Sequence, residues 1–517
     1  MRQENNSSDL SELFKKCFLK IRHPLLIPAL ICSAGALASF KTGYAAEILI
    51  IIGVFFLTVS VLLKIKLRNF IGFILCIACA FSVKSFKNNE RTADNFKDSE
   101  VSGSFLITEL VSRSNYERGQ LKVLSVKSGK LESGSKISFF AKSSFAYSKG
   151  DIISGKLIIK NGLNNKYRNY NISNGSLYET FINKDIKRSG KNIIYSSADK
   201  AAKYIDSLTE SYTDKDASAT ILGIMLGDKT GFTDEFYSNI RHSGVSHVMV
   251  VSGMHLAIIM GSVRAFTKKF GQNKYLEFII TNGFLLFFMA VCGFTQSVMR
   301  AGIMYIILSL SGLLNREGDS INALCLAVMI ILIRTPYAVL NISFQLSVLS
   351  TLGILYSSNT VSKFIKIKPK PLKALTDSAL TSVSALLFTL PVVIYQFGEF
   401  SVVSVITNLL ISYAVTAVLT LMLAITAISL IPFGGGIVYY LFKILQILAD
   451  YLNSVINYLG SRSYSFIECS DKAVAFAAVL LLVFLIICAG SKFLFYIKNN
   501  SLKSKDEKEC RLSLKAS

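Results

Sequence analysis

The sequence lacks the motifs of metal-dependent and nucleotide-driven enzymes. Only four histidines occur in 517 residues, and neither an HExxH nor an HxHxDH arrangement is present. The order of a P-loop, Gly-x-x-x-x-Gly-Lys-Ser/Thr, is also missing, and LGDKTGF at 226–232 does not supply it. We therefore predict no metal, cofactor or enzymatic activity, and any energy source is expected to come from a partner protein.

Cysteine is absent from residues 87–200, so disulfide bonds cannot stabilise that segment. Most of the nine cysteines fall in or near apolar runs, where a thiol behaves as a small hydrophobic group. Cys76 and Cys79 form a CxxC pair inside such a run. We predict that this pair packs in a core and has no metal or redox role.

Long apolar runs dominate the rest of the chain, which is 51% hydrophobic and has a mean hydropathy of +0.47. A bilayer-spanning helix needs about 20 apolar residues. The runs near or above this length are Ala45–Leu63, Phe70–Phe86, Leu276–Phe294, Ser401–Ile431 and Ala473–Ile497. We predict a polytopic α-helical membrane protein, with Ser401–Ile431 long enough for a tilted, kinked or doubled span.

Basic residues suggest the orientation in the membrane. Residues 1–23, the link carrying Lys64, Lys66 and Arg68, and the tail at 498–517 are basic, and the positive-inside rule places such segments in the cytoplasm. Three transmembrane helices are predicted in 24–86, which puts 87–190 outside. The net charge of +23 by itself fits anionic lipid, nucleic acid or a lysine-rich composition.

The outside segment predicts an inserted small all-β domain. Alternating stretches at 104–112, 120–128, 135–143 and 151–160 are separated by Gly, Ser and Asn, which favours a barrel or sandwich. Residues 101–200 hold 17 Lys and Arg against 7 Asp and Glu. One interpretation is a single-strand nucleic-acid platform, and the other is a solvated domain with an ordinary aromatic core. The candidate platform residues are Phe139, Phe140, Lys142, Phe145, Tyr147, Lys156, Tyr167, Arg168 and Tyr170.

Two segments are predicted to form amphipathic helices. Residues 191–240 are expected to hold interfacial helices, with one helix over 192–211. Within the predicted bundle at 241–497, the stretch 433–459 has its polar residues on one helical face, so it should lie in the interface or line a wet cavity. These polar residues are Lys443, Gln446, Asp450, Asn453, Ser454 and Asn457.

The stretch RHSGVSHVMVVSGMHLAIIMG at 241–261 places polar residues within an apolar run. In a helix, His247 and His255 would differ by about 80° of rotation and face one side, and Ser252 and Gly253 would permit a kink. Three interpretations stay open: a pore-lining or packing role, a catalytic Ser252–His255 pair, or a zinc site. The second lacks a Gly-x-Ser-x-Gly turn and a nearby carboxylate, and the third lacks ligands.

Further polar residues are spread over other apolar segments, where each is costly unless paired or hydrated. Arg300 either extends to the lipid headgroups or grips phosphate. Together with the preceding stretch they predict a solute path. The candidate path residues are Asp228, His247, Ser252, Gly253, His255, Arg300, Gln345, Ser347 and Asn408.

Five stretches in this order resemble the ComEC family of competence proteins. They are GIMLGDKTG (223–231), HSGVSHVMVVSGMHLAII (242–259), QSVMRAGIMY (296–305), RTPYAVLNISFQLSVLSTLGIL (334–355) and FTLPVVIYQFGEFSVVSVITNLL (388–410). The resemblance implies a channel of the bacterial cytoplasmic membrane that passes one DNA strand inward, with an OB-like β domain outside. It gives the nine candidate path residues a channel role.

Many members of this family continue into a C-terminal metallo-β-lactamase-like domain, whereas this chain ends at Ser517. We therefore expect a form without that domain, and a separate nuclease if one strand is degraded. Other expected partners are single-stranded DNA, the lipid bilayer, a DNA receptor outside and a cytoplasmic helicase or ATPase. The alternatives are a membrane-embedded hydrolase using Ser252 and His255, or a small-solute transporter, for which no inverted repeat is evident.

Overall fold

A computed structural model gives the fold. It describes residues 25–42, 67–94, 98–112, 116–129, 131–142, 147–162, 168–182, 186–269, 273–361, 370–432, 435–469 and 473–474. The chain divides into two compact units. The first comprises Met1–Thr233, His247–Gln345 and Val415–Asn453. The second comprises Asp234–Ser246, Leu346–Ala414 and Ser454–Ser517.

Helices make up most of the described residues. In chain order they are α1 (Leu26–Thr42), α2 (Leu67–Asp94), α3 (Arg168–Ser173), α4 (Ile193–Tyr212), α5 (Lys215–Leu226), α6 (Asp234–His242), α7 (Gly253–Thr267), α8 (Lys274–Val291), α9 (Gln296–Leu313), α10 (Ser320–Arg334), α11 (Ile342–Val361), α12 (Lys370–Phe397), α13 (Ser404–Ser429) and α14 (Gly435–Gly460). A 3₁₀ helix, Pro336–Leu340, follows α10.

Five of these helices are long and apolar enough to cross a membrane: within the described ranges they are α8, α9, α12, α13 and α14. The run Ser401–Ile431 forms one helix, α13, and is therefore not doubled. The run Phe70–Phe86 lies inside the longer helix α2. Ala45–Leu63 and all but two residues of Ala473–Ile497 lie outside the described residues.

The predicted β domain is present as a closed barrel. Its strands are β1 (Ser99–Ser112), β2 (Tyr116–Ser128), β3 (Lys136–Lys142), β4 (Asp151–Asn161), β5 (Ser176–Ile182) and β6 (Ile186–Lys191). The order is β1-β2-β3-β5-β4, β4 also pairs with β1, and β6 extends from β4. Five strands closed in this way form an OB-like barrel. Period-two alternation explains the core, because Leu121 and Val123 point inward while Lys122 and Leu124 are exposed.

The barrel shares its core with the helices of the first unit. Tyr337, from the 3₁₀ helix, is fully buried within the barrel core cluster, and Phe86 of α2 packs against the same cluster. The two rings meet edge to face with centroids 5.2 Å apart. The barrel is therefore built into the helical part of its unit and is not a separate module on a linker.

A lysine provides a second attachment. Lys149 lies just before β4, and its ammonium donates to the Ala290 carbonyl oxygen at 2.6 Å and to that of Val291 at 3.4 Å. These carbonyls end α8, where the helix dipole is negative, so a cation stabilises them. Burial lowers the pKa of the Lys149 ammonium from its ordinary value, while nearby Asp199 and Glu109 act in the opposite direction.

The cysteine pair packs between helices, as predicted. The Cys32 thiol of α1 lies 3.5 Å from the sulfur of Cys76 in α2, and the Cys79 thiol donates to the Met329 carbonyl oxygen of α10. Cys32, Cys76 and Cys79 are all buried free thiols. Within the described ranges, no group of three or more His, Cys, Asp or Glu side chains could hold a metal ion.

Both predicted amphipathic helices form. The helix expected over 192–211 is α4, which is capped by the Asn192 side chain. The helix expected over 433–459 is α14, and its polar face is used in hydrogen bonds within the first unit. Gln446 donates to the Asp214 carboxylate at 2.5 Å, and Thr220 donates to the Asn453 amide oxygen at 2.6 Å. Gln446 and Asn453 therefore bind α5 and its N-cap residue and do not face only solvent.

The second unit contains a small antiparallel ribbon formed by β7 (Glu399–Ser401) and β8 (Phe466–Glu468). Arg241 of α6 pairs with Glu399, and the His242 ring stacks on Phe466 with centroids 3.8 Å apart. Gly244 follows α6 with φ of +77°, and a Cβ there would lie 2.4 Å from that of Ser404. Glycine is therefore required at this turn.

Candidate functional site

Ser252 and His255 form a reciprocal cap at the start of α7. The Ser252 hydroxyl oxygen accepts the His255 backbone N–H at 3.4 Å, and the Ser252 backbone N–H donates to His255 Nδ1 at 3.3 Å. This is a capping box in which histidine replaces the usual glutamate. The imidazole therefore binds the serine backbone and is not placed to remove a proton from its hydroxyl.

The prediction of one kinked helix through both histidines is wrong. Residues 243–252 form turns and extended backbone, and α7 begins only at Gly253. Ser252 has β-region backbone angles, which end any helix on its N-terminal side. His247 therefore lies in a turn, where it is exposed, whereas His255 is fully buried in the first turn of α7.

Arg300 lies against this same helix start. A Cβ on Gly253 would be 2.8 Å from Arg300 Nη2, so the absence of a side chain at 253 allows the guanidinium to approach the first turn of α7. Arg300, on α9, is 4% exposed, and its Nη1 contacts the Met304 sulfur at 3.3 Å. A side chain this buried does not extend to the headgroups, which removes one of the two roles considered for it.

The His255 imidazole has one donor to offer. Because Nδ1 accepts a hydrogen bond, a neutral ring carries its proton on Nε2. That atom is buried and has no hydrogen-bond partner in the described part of the chain. The first turn of α7 also carries the positive end of the helix dipole, next to the Arg300 guanidinium. Two positive groups side by side are the arrangement that favours a bound anion.

Ser252, Gly253, His255 and Arg300 are thus brought together, and the Asp228 turn lies beside them. A Cβ on Gly227 would lie 3.4 Å from a Val251 methyl carbon, so the 226–232 loop packs next to Ser252.

Asp228 itself is exposed, and its carboxylate accepts the Thr230 N–H at 2.9 Å, which fixes the turn. The Gln345 amide donates to the Val339 carbonyl oxygen at 2.7 Å and supports its own local turn. Ser347 and Asn408 belong to the second unit, where their backbone carbonyls accept hydrogen bonds from Thr351 and Ser412 of their own helices.

An aromatic and basic cluster covers the outer face of β2 and β3. The Arg118 guanidinium lies 4.7 Å from the Tyr170 ring centroid and 5.4 Å from that of Phe140. The Tyr116 ring is 6.1 Å from Phe140, and Lys142 is the cross-strand neighbour of Tyr116. We call Tyr116, Arg118, Phe140, Lys142 and Tyr170 the platform. The strand 2–3 face is one that OB folds use to bind oligonucleotides.

The sequence identified only part of this platform. Phe139 was expected to stack on bases, and that expectation is wrong because its ring is fully buried in the barrel core. Tyr147 packs against the core and donates its hydroxyl to the Ile186 carbonyl oxygen. Arg168 pairs with Glu90 of α2, and Lys156 lies elsewhere on the barrel. Tyr167 and Phe145 lie outside the described residues.

Tyr116 and Arg118 were not predicted, because the second strand was expected to begin at Gln120. The signal was nevertheless present, since the alternation of Tyr116, Arg118, Gln120 and Lys122 continues the outward face of β2. Cross-strand pairing with β3 places Arg118 opposite Phe140.

Comparison with known proteins identifies the family. The family model for competence proteins matches residues 224–493, more than half of the chain. The chain belongs to the competence protein family. All nine candidate path residues of this competence protein lie within the matched range, whereas the barrel precedes it. With its five apolar helices, it is a multi-pass membrane protein.

One relative of this competence protein is ComE operon protein 3 of Bacillus subtilis strain 168. The two are 28% identical over 208 residues, which is 40% of this chain and 26% of the relative. The chain therefore matches about a quarter of that relative's length. No solved structure matches this competence protein.

Proposed function

We propose that this competence protein carries single-stranded DNA across the bacterial cytoplasmic membrane, and that its barrel receives the strand. Family membership supports a role in competence, the uptake of DNA. A multi-pass helical bundle and a basic OB-like barrel within one chain are suited to passing a polyanion through lipid.

The platform is the observation that carries this proposal. A guanidinium held between the faces of Phe140 and Tyr170 offers both a positive charge and flat surfaces. Single strands bind to such surfaces because every base has a face that stacks and every nucleotide carries a phosphate. Tyr170 is 45% exposed, so a base can reach it. A duplex, whose bases are already stacked, would gain less from the same surface.

The start of α7 extends the proposal to the membrane bundle. The Arg300 guanidinium, the positive end of α7 and the His255 Nε2 donor form a group suited to a phosphodiester. We propose that Ser252, Gly253, His255 and Arg300 contact the DNA backbone during passage. The further candidates for contact with the strand are Asp228, His247 and Gln345 in the first unit and, separately, Ser347 and Asn408 in the second.

The orientation and partners form part of the same proposal. The barrel would lie outside the cytoplasmic membrane and both termini inside, as the basic flanks indicate. A DNA receptor would deliver the substrate, a cytoplasmic helicase or ATPase would pull the strand, and a separate nuclease would degrade its complement. The Ser252–His255 geometry disfavours the alternative of a hydrolase, since the hydroxyl accepts a backbone N–H and does not contact the ring.

Binding of oligodeoxythymidine to the full chain in nanodiscs tests the platform. Stacking on an aromatic side chain contributes about 1–3 kcal/mol per base, so Tyr170→Ala should weaken binding by about 5- to 150-fold. Arg118→Lys keeps the charge but loses the planar group, and we expect it to recover only part of the loss seen with Arg118→Ala.

Lys200→Ala, on the exposed surface of α4, is the control for a lost charge away from the platform. Affinity should also fall steeply with salt, because cations are released when phosphate binds. If Tyr170→Ala and Arg118→Ala bind as tightly as the unchanged protein, the platform is not the receiving surface.

A further inference from the structure

A second surface feature lies on the barrel outside the platform. It is a groove of about 590 Å³ on the side formed by β1 and β4. Lys127, Lys156 and Lys187 line it together with Ile158 and Phe181, which are 56% and 49% exposed. Apolar side chains this exposed beside three lysines are unusual for a surface that meets only water.

Small residues shape the floor of the groove. Gly103 of β1 pairs with Gly155 of β4, and Ser102 and Ser154 lie next to them. A Cβ on Gly103 would lie 2.3 Å from the Ser125 carbonyl oxygen, so a larger residue cannot be accommodated there without moving the backbone. The depression is therefore set by the barrel backbone and does not depend on the positions of mobile side chains.

Strand register makes the groove continuous with the platform. Phe140 of β3 is the direct cross-strand neighbour of Phe181 in β5. Ile158 lies one position beyond the Ile159–Thr180 pair, beside Phe181, and is itself paired with Glu100 of β1. Neighbouring outward-facing side chains therefore connect the platform with the groove, in the order Arg118, Phe140, Phe181 and Ile158.

We propose that the groove is a second binding segment for the same single strand, which would wrap around the barrel from the platform to β1. This inference rests on the proposed function. The lining carries three lysines against one acid, so the occupant should be anionic. Lys156 pairs with Glu100 at 3.1 Å, but both side chains are largely exposed, so a phosphate can replace the carboxylate at little cost. Phe181 would stack on a base.

The geometry predicts the length of the added segment. The platform already covers β2 and β3, and neighbouring strands are about 4.8 Å apart, so the three further steps from β3 to β1 cover about 14 Å. At a stacked spacing of about 3.4 Å, this distance corresponds to roughly four nucleotides. If the platform alone binds about five nucleotides, platform and groove together bind about nine.

The test compares oligodeoxythymidines of 5 and 12 nucleotides binding to the full chain in nanodiscs. The unchanged protein should bind the 12-mer more tightly than the 5-mer. Lys127→Ala/Lys156→Ala/Lys187→Ala should remove this difference and leave the 5-mer affinity unchanged. The slope of log affinity against log salt for the 12-mer should become shallower by about 2, since each phosphate contact contributes about 0.7. The charge-matched control alters three exposed lysines outside the barrel, Lys200→Ala/Lys215→Ala/Lys268→Ala.

Phe181→Leu is a second variant that leaves every charge in place. It should weaken the 12-mer severalfold, but not an abasic 12-mer, because only a base can stack on the ring. The inference is overturned if the groove variant weakens both oligomers equally or neither, or if polyglutamate of equal charge competes as well as the 12-mer does. Failure of the unchanged protein to bind even the 5-mer would instead contradict the proposed function.

Discussion

Replacing Ser252 tests whether its hydroxyl caps α7 or acts as a catalytic nucleophile. The hydroxyl accepts the His255 N–H, so Ser252→Ala removes one half of the capping box. Loss of such a cap costs about 1 kcal/mol, with a range of about 0.5–2. Since 1.4 kcal/mol is a tenfold change, the first turn of α7 should open about fivefold more often, and about 2- to 30-fold over that range. Ser252→Asn retains a capping oxygen and should cost little.

The functional consequence follows from the contact with Arg300. When the first turn opens, Gly253 moves away from the guanidinium and the proposed anion site is lost. Function follows the closed fraction of the turn, so we expect transformation to fall by up to about fivefold in Ser252→Ala and to stay close to normal in Ser252→Asn. The assay is marker transformation in a naturally competent bacterium that carries each allele in place of its own channel gene, with the protein level checked by immunoblot.

Ser262→Ala is the matched control, because that hydroxyl also binds backbone, the Ile258 carbonyl oxygen, but in the middle of α7. A hydrolase needs the serine oxygen itself, so it would lose activity in both Ser252 variants. If Ser252→Asn is as defective as Ser252→Ala at equal protein level, the capping explanation is refuted and a nucleophilic role gains support.

Two further predictions concern Arg300 and Tyr337. Arg300→Lys keeps a cation but loses the forked donor, and should reduce transformation more than tenfold while oligonucleotide binding to the platform is unchanged; normal transformation would remove Arg300 from the path. Tyr337→Ala removes a fully buried ring from the barrel core and should destabilise the barrel by about 3–5 kcal/mol. We expect this loss to appear as faster proteolysis of the barrel in the full chain. The exposed Tyr464→Ala is its control, and equal cleavage rates would contradict a shared core.

Local patterns were sufficient to predict much of the fold. Four strands alternate strongly and were expected, with β1 and β2 beginning four to five residues further upstream than predicted, and the long apolar runs within the described residues form helices. Strands β5 and β6 were both missed. The sequence of β6, IKRSGK, has a single apolar residue, and this strand pairs only at the edge of β4. Closure of the barrel by β1 and β4 could not be read from either strand, since it depends on residues about 50 positions apart.

The site was less predictable, for two reasons. The rotation argument for His247 and His255 assumed a continuous helix, yet S-x-x-H carries a capping signal that ends the helix between them. The approach of Arg300 to Gly253 joins residues 47 positions apart and depends on how α9 packs on α7. The platform illustrates the opposite case: extending the alternation four residues upstream of Gln120 would have found Arg118 and Tyr116.

The position of Tyr337 in the barrel core sets an order of events during synthesis. The last barrel strand ends at Lys191, so about 150 further residues must be translated before this ring exists. At about 5–20 residues per second, the ribosome needs roughly 7–30 s for that stretch. During this interval the barrel core lacks the Tyr337 ring, while α8 and α9, two of the candidate membrane spans, are being synthesised. The barrel core can therefore be completed only after α8, α9 and α10 have been synthesised.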